Sequence, residues 1–289
     1  MALSPIHRAD GAAAIEQDAL PGAYVHGYHR RESERLHDQA GTLVDLLHAD
    51  TAYPPGSLVL EAGCGVGAQT VTLARNSPGA LLTAIDLSAA SLAEASTRVA
   101  AAGIRNVQFR QADIFALPFA PASFDHIFVC FVLEHLVRPA AALLALKGVL
   151  RPGGSITVIE GDHGSVYFHP ESAAARTAIW CQVELQRQAG GDAMIGRQLY
   201  PLLATAGFEA VHVSPRMVYV DSSRPQLVDG FTRKTFTAMV EGVRAAALAA
   251  GLVAPEEFDA GVRALYRTAE ADGVFCYTFF KATGTKGAR

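Results

Sequence analysis

Glu61, Gly63, Gly65, Gly67, Asp86 and Asp113 are the residues whose types and spacing first suggest chemistry. The three glycines stand at alternate positions in Leu58-Val-Leu-Glu-Ala-Gly-Cys-Gly-Val-Gly-Ala-Gln-Thr70. Glycine tolerates a left-handed backbone and leaves no Cβ between a ligand and the chain. An apolar run before the loop and a helix-compatible run after it make a strand, a turn and a helix start, an arrangement that holds nucleotide-like ligands. Gly63, Gly65 and Ala68 also satisfy the G-x-G-x-x-G/A pattern of dinucleotide sites, and an ordinary tight turn would use the same glycines. The carboxylates narrow the choice. Glu61 would repel a pyrophosphate and tolerate or welcome a cationic or aminoacyl ligand. Asp86, about twenty residues on, can accept both hydroxyls of a ribose, or cap a helix near Ser88. Asp113 can accept from an adenine amino group while the next N–H donates to a ring nitrogen, or can serve a turn.

A second cluster is Glu160-Gly-Asp-His-Gly-Ser-Val-Tyr-Phe-His169. It puts Asp162, His163, Tyr167 and His169 at the end of an expected strand. A His near neutral pKa, or a Tyr hydrogen-bonded to one, can remove a proton from a substrate. A cap or turn role is the plainer reading of each. His163 and His169 are metal-ligand types, but no third ligand stands at sensible spacing, so no metal is assigned. Tyr24-Val-His-Gly-Tyr-His29 reads either as a staple for the helix after it or as a lid. Arg216, Met217, Tyr219, Asp221, Phe231 and Phe236 can border a pocket, although aromatics at such spacing more often build a core.

Strands are expected at 57–61, 81–85, 107–111, 125–130, 154–160 and 208–213, with a final aromatic strand at 274–280. Helices are expected at 28–48, 67–75, 88–102, 139–149, 170–188 and 197–206, with a largely helical stretch from Pro225 to Asp272. Alternation of this kind implies βαβ units and a parallel sheet covered on both faces. The expected organisation is an N-terminal helical lid over 1–50, then an α/β domain over 51–289 with cap insertions at about 161–195 and 215–272.

The 289 residues are half hydrophobic and 18% charged, enough to bury a large core. A net charge of -4 and a pI near 6.2 give no electrostatic reason to expect nucleic acid or an anionic membrane. Cys64, Cys130, Cys181 and Cys276 form no C-x-x-C pair and read as buried free thiols. Nothing in Met1 to Asp18 resembles a signal peptide and no apolar run reaches bilayer length, so a cytoplasmic protein is expected.

Taken together, Glu61-Ala-Gly-Cys-Gly-Val-Gly67, Asp86, Gln111-Ala-Asp-Ile114, Leu117-Pro-Phe119, Ser123-Phe-Asp125, Leu133-Glu-His-Leu136 and Leu150-Arg-Pro-Gly-Gly154 carry a family resemblance. The chain resembles the class I S-adenosylmethionine-dependent methyltransferases, in the branch similar to ubiquinone and menaquinone methyltransferases. The likeness is specific over about residues 55 to 160. It implies a Rossmann-like seven-stranded mixed sheet with the last strand antiparallel, helices on both faces and a helical cap. It also implies S-adenosyl-L-methionine as donor and S-adenosyl-L-homocysteine as product. The implied donor residues are Tyr28, Glu61, Ala62, Gly63, Gly65, Gln69, Asp86, Leu87, Asp113, Ile114, Cys130, Phe131 and His135. The glycine loop faces the methionine portion, the second-strand acid takes the ribose and the Asp-Ile pair takes adenine. Tyr28 is the candidate for the donor's carboxylate end.

Methyl transfer is an in-line displacement at a carbon activated by a sulfonium, and needs alignment, exclusion of water and, for some acceptors, a base. The expected base candidates are His163, Tyr167, His169 and Tyr28. Three covering segments over the strand ends suit an enclosed small-molecule site. Aromatic and His-rich walls favour an aromatic or indole-like secondary metabolite, methylated on carbon, with oxygen or nitrogen as variants; a quinone-type acceptor is an alternative. Base-modifying relatives carry an Asn/Asp-Pro-Pro-Tyr/Phe segment where this chain reads Cys130-Phe-Val-Leu133. A NAD-dependent dehydrogenase and a non-catalytic donor-binding module are the readings from other classes. A homodimer is an allowed assembly.

Overall fold

The computed structural model describes residues 43–288. Seven strands form one sheet in the order β3-β2-β1-β4-β5-β7-β6. They are β1 (Leu58–Ala62), β2 (Leu81–Asp86), β3 (Val107–Gln111), β4 (Phe124–Cys130), β5 (Leu150–His169), β6 (Glu209–Val220) and β7 (Val274–Thr285). The first five pair in parallel, and β7 runs antiparallel between β5 and β6. The reversal at β7 is the mixed sheet expected above.

Alternation along the strands assigns the two faces. Val59, Phe128 and Ile159 pack on one face with Leu73 and Ala74 of α2 (Ala68–Asn76), and with Leu43 and Leu47 of a helical stretch at 43–48, α1. Leu60, Ile127, Val129 and Val158 pack on the other with Leu143 and Leu146 of α4 (Pro139–Val149) and Leu199 and Leu203 of α6 (Leu199–Thr205). Between β2 and β3 lies α3 (Ala89–Ala101), whose first turn is capped by the Ser88 hydroxyl accepting the Ser91 N–H at 3.2 Å. The expected helix over 28–48 is seen only in its last turns, because 1–42 lie outside the described residues.

The strands on the β5 side are much longer than their sequence signals. β5 does not stop at Glu160: Asp162 pairs with Thr278, Tyr167 with Cys276 and His169 with Val274. A register shift between Asp162 and Tyr167, five steps on β5 against two on β7, absorbs three extra residues, so the expected loop cluster at 161–169 is strand. β6 likewise passes through Pro215, which reads as a stop in sequence. Since β6 is an edge strand, a missing N–H is tolerated there. The inserted pieces are therefore shorter than expected and begin after His169 and after Val220.

The first insertion carries α5 (Ala173–Gln188), capped by Ser172. The second starts with α7 (Pro225–Leu227), continues as a π-wound segment Val228–Thr237 and ends with α8 (Ala238–Gly242), α9 (Arg244–Ala249) and α10 (Pro255–Arg267). Phe231, Phe236 and Val240 from this insert, Ile179 from α5 and Phe258 and Leu265 from α10 bury themselves on the face that carries Phe275, Tyr277 and Phe279. The cap is thus packed on the strand extension. All four cysteines are buried free thiols. Among the described residues no helix is long and apolar enough to cross a membrane.

Candidate active site

The three loop glycines have three different reasons. All have positive φ: 76° at Gly63, 51° at Gly65 and 75° at Gly67. A Cβ on Gly63 would overlap Val132 of the segment after β4, and a Cβ on Gly67 would meet Ala95 of α3 at 2.8 Å. A Cβ on Gly65 would meet nothing within 4 Å. Gly65 is the position where the loop faces open space and a ligand can reach the backbone. The loop is tied at its base, where the N–H groups of Gly63 and Cys64 donate to the Ile85 carbonyl at 2.8 and 2.9 Å.

Asp86 holds this loop from the end of β2. One carboxylate oxygen accepts the Gly65 N–H at 2.8 Å and the other accepts the Ser88 N–H at 2.9 Å. It is a loop clamp first, with further lone pairs for a ribose. Ser88, not Asp86, caps the helix. Gln111 donates to the Leu87 carbonyl at 2.9 Å, which links the Leu87 turn to the turn after β3. Leu87 is 67% exposed although apolar, and beside it stand half-buried Ile114 and exposed Asp113, whose carboxylate accepts the Phe115 N–H at 2.8 Å. An exposed apolar side chain next to an accepting carboxylate suits a flat base with an amino group.

Glu61 closes the site from below. It is 2% exposed, on the face of β1 that carries Val59, and burial followed by the charge of Asp86 raises its carboxyl from the ordinary 4.5 to about 7. Its Oε2 and the Gln69 Oε1 in the first turn of α2 make no hydrogen bond of good geometry, although Thr70 lies near enough to Glu61, and His48 near enough to Gln69, to interact with them. Buried acceptors without donors are rare and costly. An aminoacyl head group with an ammonium and a neighbouring sulfonium would supply what Glu61 and Gln69 lack, so these residues fit S-adenosylmethionine. Ala62 is buried beside them.

The far wall comes from the segment after β4. Cys130 is buried, and Phe131 takes an uncommon left-handed φ of 56° while its N–H donates to the Ile159 carbonyl at 2.9 Å. A non-glycine residue held there is strained, and such residues concentrate at functional sites. The next turn, Leu133–His135, is fixed by a residue that sequence reasoning left unassigned. Glu160 is fully buried, and its Oε1 accepts the N–H groups of Val132 at 3.0 Å and Leu133 at 2.7 Å. Burial and then Glu134 hold the Glu160 carboxyl well above the usual range. His135 lies with Nε2 3.6 Å from the Glu134 carboxylate, and Gln186 of α5 donates to Glu134 in turn.

Of the candidate bases among the described residues, only His163 is buried. Tyr167 is 67% exposed and His169 is exposed, on the strand face opposite Val166 and Phe168. Strict alternation would leave all three on one face; the register shift between Asp162 and Tyr167 turns Tyr167 and His169 away from the side that buries His163. Asp162 is buried and accepts a two-pronged ion pair from Arg197 at 2.7 Å on each prong. His163 is buried with Nδ1 3.1 Å from the Ala193 carbonyl and 3.0 Å from the Tyr277 hydroxyl, and Nε2 2.9 Å from the Gln182 amide. Tyr277 is the partner that sequence reasoning missed. Its signal was present: in Phe275-Cys-Tyr-Thr-Phe279 the alternate residues are aromatic, and only one bears a hydroxyl.

Arg216 lies on β6 and pairs with Asp50, as does the buried Lys281, which bonds it at 2.5 Å and Thr51 at 2.5 Å. These residues pin the end of α1 to the sheet. Phe231 and Phe236 are fully buried against Tyr277 and Phe275. Tyr28, Tyr24, His26 and His29 lie outside the described residues. Among the described residues no three His, Cys, Asp or Glu gather as a metal site.

A sheet of this order with a glycine loop after β1 and carboxylates at the ends of β1 and β2 defines a class I methyltransferase fold. Its likenesses agree. The chain matches the solved [4+2]-cyclase SpnF with a TM-score of 0.53 at 20% identity, over 92% of this chain and 86% of that one. It matches phospholethanolamine N-methyltransferase 2 of Haemonchus contortus, solved with phosphomonomethylethanolamine and S-adenosylhomocysteine. That TM-score is 0.53 at 17% identity, over 86% of this chain and 53% of that one. Residues 60–158 match the methyltransferase domain family. The ubiquinone biosynthesis O-methyltransferase of Paracidovorax citrulli is 38% identical over 100 residues, 34% of this chain and 41% of that protein. Residues 60–158 thus carry a methyltransferase domain, set in a sheet with the class I methyltransferase fold. The chain spans from about a third to about half the length of the curated relatives it matches.

Proposed function

We propose that the protein transfers the methyl group of S-adenosylmethionine to a small aromatic molecule. The observation that carries this reading is a row of rings leading away from the donor wall. Phe131 lies 5.6 Å from Phe279, Phe279 lies 4.7 Å from Tyr277, and Tyr277 lies 6.0 Å from Phe231 and 5.6 Å from Phe236. These tilted and edge-on rings make the interior beyond Phe131 aromatic, which supports a planar, apolar acceptor over a charged one. The name of the ubiquinone-pathway relative, an O-methyltransferase, agrees with a small acceptor. The net charge of -4 speaks against nucleic acid.

The residues divide the work. Glu61 and Gln69 take the donor's cationic end, Gly65 admits it, Asp86 takes the ribose, and Leu87, Asp113 and Ile114 take the base. Cys130, Phe131 and His135 shape the wall toward the acceptor. S-adenosylmethionine supplies the activated methyl when bound. The chain's part is to align the acceptor, exclude water behind the aromatic cap and receive a proton where the acceptor carries one. His163, with Tyr277 against it, is the base candidate the geometry favours. Tyr167 and His169 stand away from it, and Tyr28 keeps its proposed place at the donor's carboxylate end. An indole-like or quinone-type ring and the choice of carbon, oxygen or nitrogen all fit within this reading. Incubating the protein with methyl-labelled donor and small-molecule extracts, then finding labelled product by mass spectrometry, tests it. A labelled aromatic product is expected. Label only in macromolecules, or in none of the extracts, would contradict the reading.

A further inference from the structure

We infer that Glu160 is a positioning residue for the donor: capping the turn after β4 from the neighbouring strand, it seats Val132 on Gly63 and so holds the glycine loop in its binding shape. This rests on the methyl-transfer reading and adds to it a residue that touches neither donor nor acceptor.

The turn cannot cap itself. The short helical turn Leu133–His135 leaves its first N–H groups without partners inside the turn, and Val132, ahead of it, has no side-chain acceptor to offer. These groups lie in the interior, where Leu133 is fully buried and water cannot stand in for a partner. The cap comes instead from β5. The Glu160 Oε1 accepts the Val132 N–H at 3.0 Å and the Leu133 N–H at 2.7 Å, and the Glu134 N–H bonds the same carboxyl. Three otherwise orphaned N–H groups explain why a glutamate stands fully buried here. Burial, then the like charge of Glu134, favours the neutral carboxyl, so the cap needs an accepting oxygen and not a charge.

Two neighbours carry the position of that cap outward. Val132 lies so close to the glycine loop that a Cβ on Gly63 would stand 2.4 Å from its Cγ2. Gly63 opens the loop at a φ of 76°, with its N–H tied to the Ile85 carbonyl, and Gly65 follows two residues on. Val132 is thus a wall of the loop, and Glu160 fixes its backbone. On the other side of Val132, Phe131 is held at a φ of 56°, a conformation that a non-glycine residue keeps only when its surroundings over-determine it. Its own N–H is fixed by the Ile159 carbonyl, and the next two N–H groups are fixed by Glu160, the residue after Ile159. The end of β5 therefore sets Phe131, Val132 and Leu133 together. From the cap side, the Glu134 carbonyl accepts the Asp192 N–H at 2.8 Å and the Gln186 amide at 2.9 Å, which braces the far end of the same turn.

The test compares variants of the full chain by titration calorimetry with S-adenosylhomocysteine, and by amide hydrogen exchange without ligand, both well below each variant's thermal midpoint. Glu160→Leu keeps the bulk and removes the accepting oxygen. It should weaken S-adenosylhomocysteine roughly tenfold, as one orphaned N–H felt at the loop would, and speed exchange of the Gly63–Gly67 amides relative to those of β2. Glu160→Gln, which restores an accepting oxygen, should recover the affinity to within about threefold of the unmodified protein. Val132→Ala leaves the cap in place and removes the contact with Gly63. It should also weaken the ligand, by about threefold or more, while the Val132 and Leu133 amides stay protected, and it is the deciding variant where Glu160→Leu does not fold. Unchanged affinity in Val132→Ala, or in a folded Glu160→Leu, overturns the inference and leaves Glu160 a purely structural residue. A loss in Glu160→Gln as large as that in Glu160→Leu overturns it too. Failure of the unmodified protein to bind S-adenosylhomocysteine overturns the methyl-transfer reading and this one with it.

Discussion

Glu61 is the residue at which fold and function pull apart. Burial and Asp86 raise its carboxyl from 4.5 to about 7, a difference of about 3 kcal/mol that the folded protein bears whenever Glu61 is ionised. With the folded value above the unfolded one, the protonated group stabilises the fold at low pH, and that stability is lost as pH rises through about 7. Glu61→Gln should therefore raise the thermal midpoint of the ligand-free protein at pH 8 and change it little at pH 4. The same substitution should weaken the donor, because the ionised carboxylate is what a sulfonium or ammonium prefers. Calorimetry should show the unmodified protein binding S-adenosylmethionine more tightly as pH rises from 6 to 8. Glu61→Gln should flatten that rise, and a rise of equal size in the variant would remove Glu61 from the donor site. Asp86→Ala should lose both loop order and donor affinity, since its two oxygens hold Gly65 and Ser88. Full donor affinity in that variant would refute the ribose assignment.

At the scale of elements, the glycine loop separates two kinds of constraint. Gly67→Ala should lower stability, because a left-handed residue would carry a Cβ into Ala95. Gly65→Ala meets open space and should cost the fold only about 1 kcal/mol, yet reduce donor affinity sharply. Denaturant midpoints and calorimetry on both variants check the pair, and the reverse pattern would misplace the donor. The N-terminal helix depends on a different contact. Although burial opposes ionisation of Asp50, hydrogen bonds from Lys281 and Arg216 hold it down to about 2. Asp50→Asn leaves the buried Lys281 without its anion and should destabilise the protein by roughly 2 kcal/mol, read as a lower urea midpoint. The loop, the first four strands and their helices were legible in the chain because local signals and tertiary pairing agree there. β5 beyond Glu160 was not. Gly161, Gly164 and the polar cluster spell a loop locally, and only the ladder to β7, more than a hundred residues away, makes them strand. The run of β6 through Pro215 was likewise out of reach, because its edge position is invisible to local reasoning. The Tyr277 pairing with His163 follows from that unseen strand.

For the whole molecule, the long β5, β6 and β7 lift the sheet past the donor loop and give the cap a surface to pack on. The donor half is shared with a broad fold class, whereas on the proposed reading the acceptor half is made by the extension and its aromatic residues. That division explains why sequence motifs spoke clearly about the donor and little about the acceptor. On the proposed reading it concentrates acceptor choice in residues such as Phe279, away from the donor loop, where substitution should change which ring binds without disturbing the donor. In the proposed function the glycine loop, Glu61 and Asp86 bind a sulfonium donor and not a dinucleotide. Titration calorimetry with S-adenosylhomocysteine and with NAD tests it most directly. Saturable one-to-one binding of S-adenosylhomocysteine and no heat from NAD are expected, whereas saturable NAD binding with none of S-adenosylhomocysteine would contradict the donor assignment.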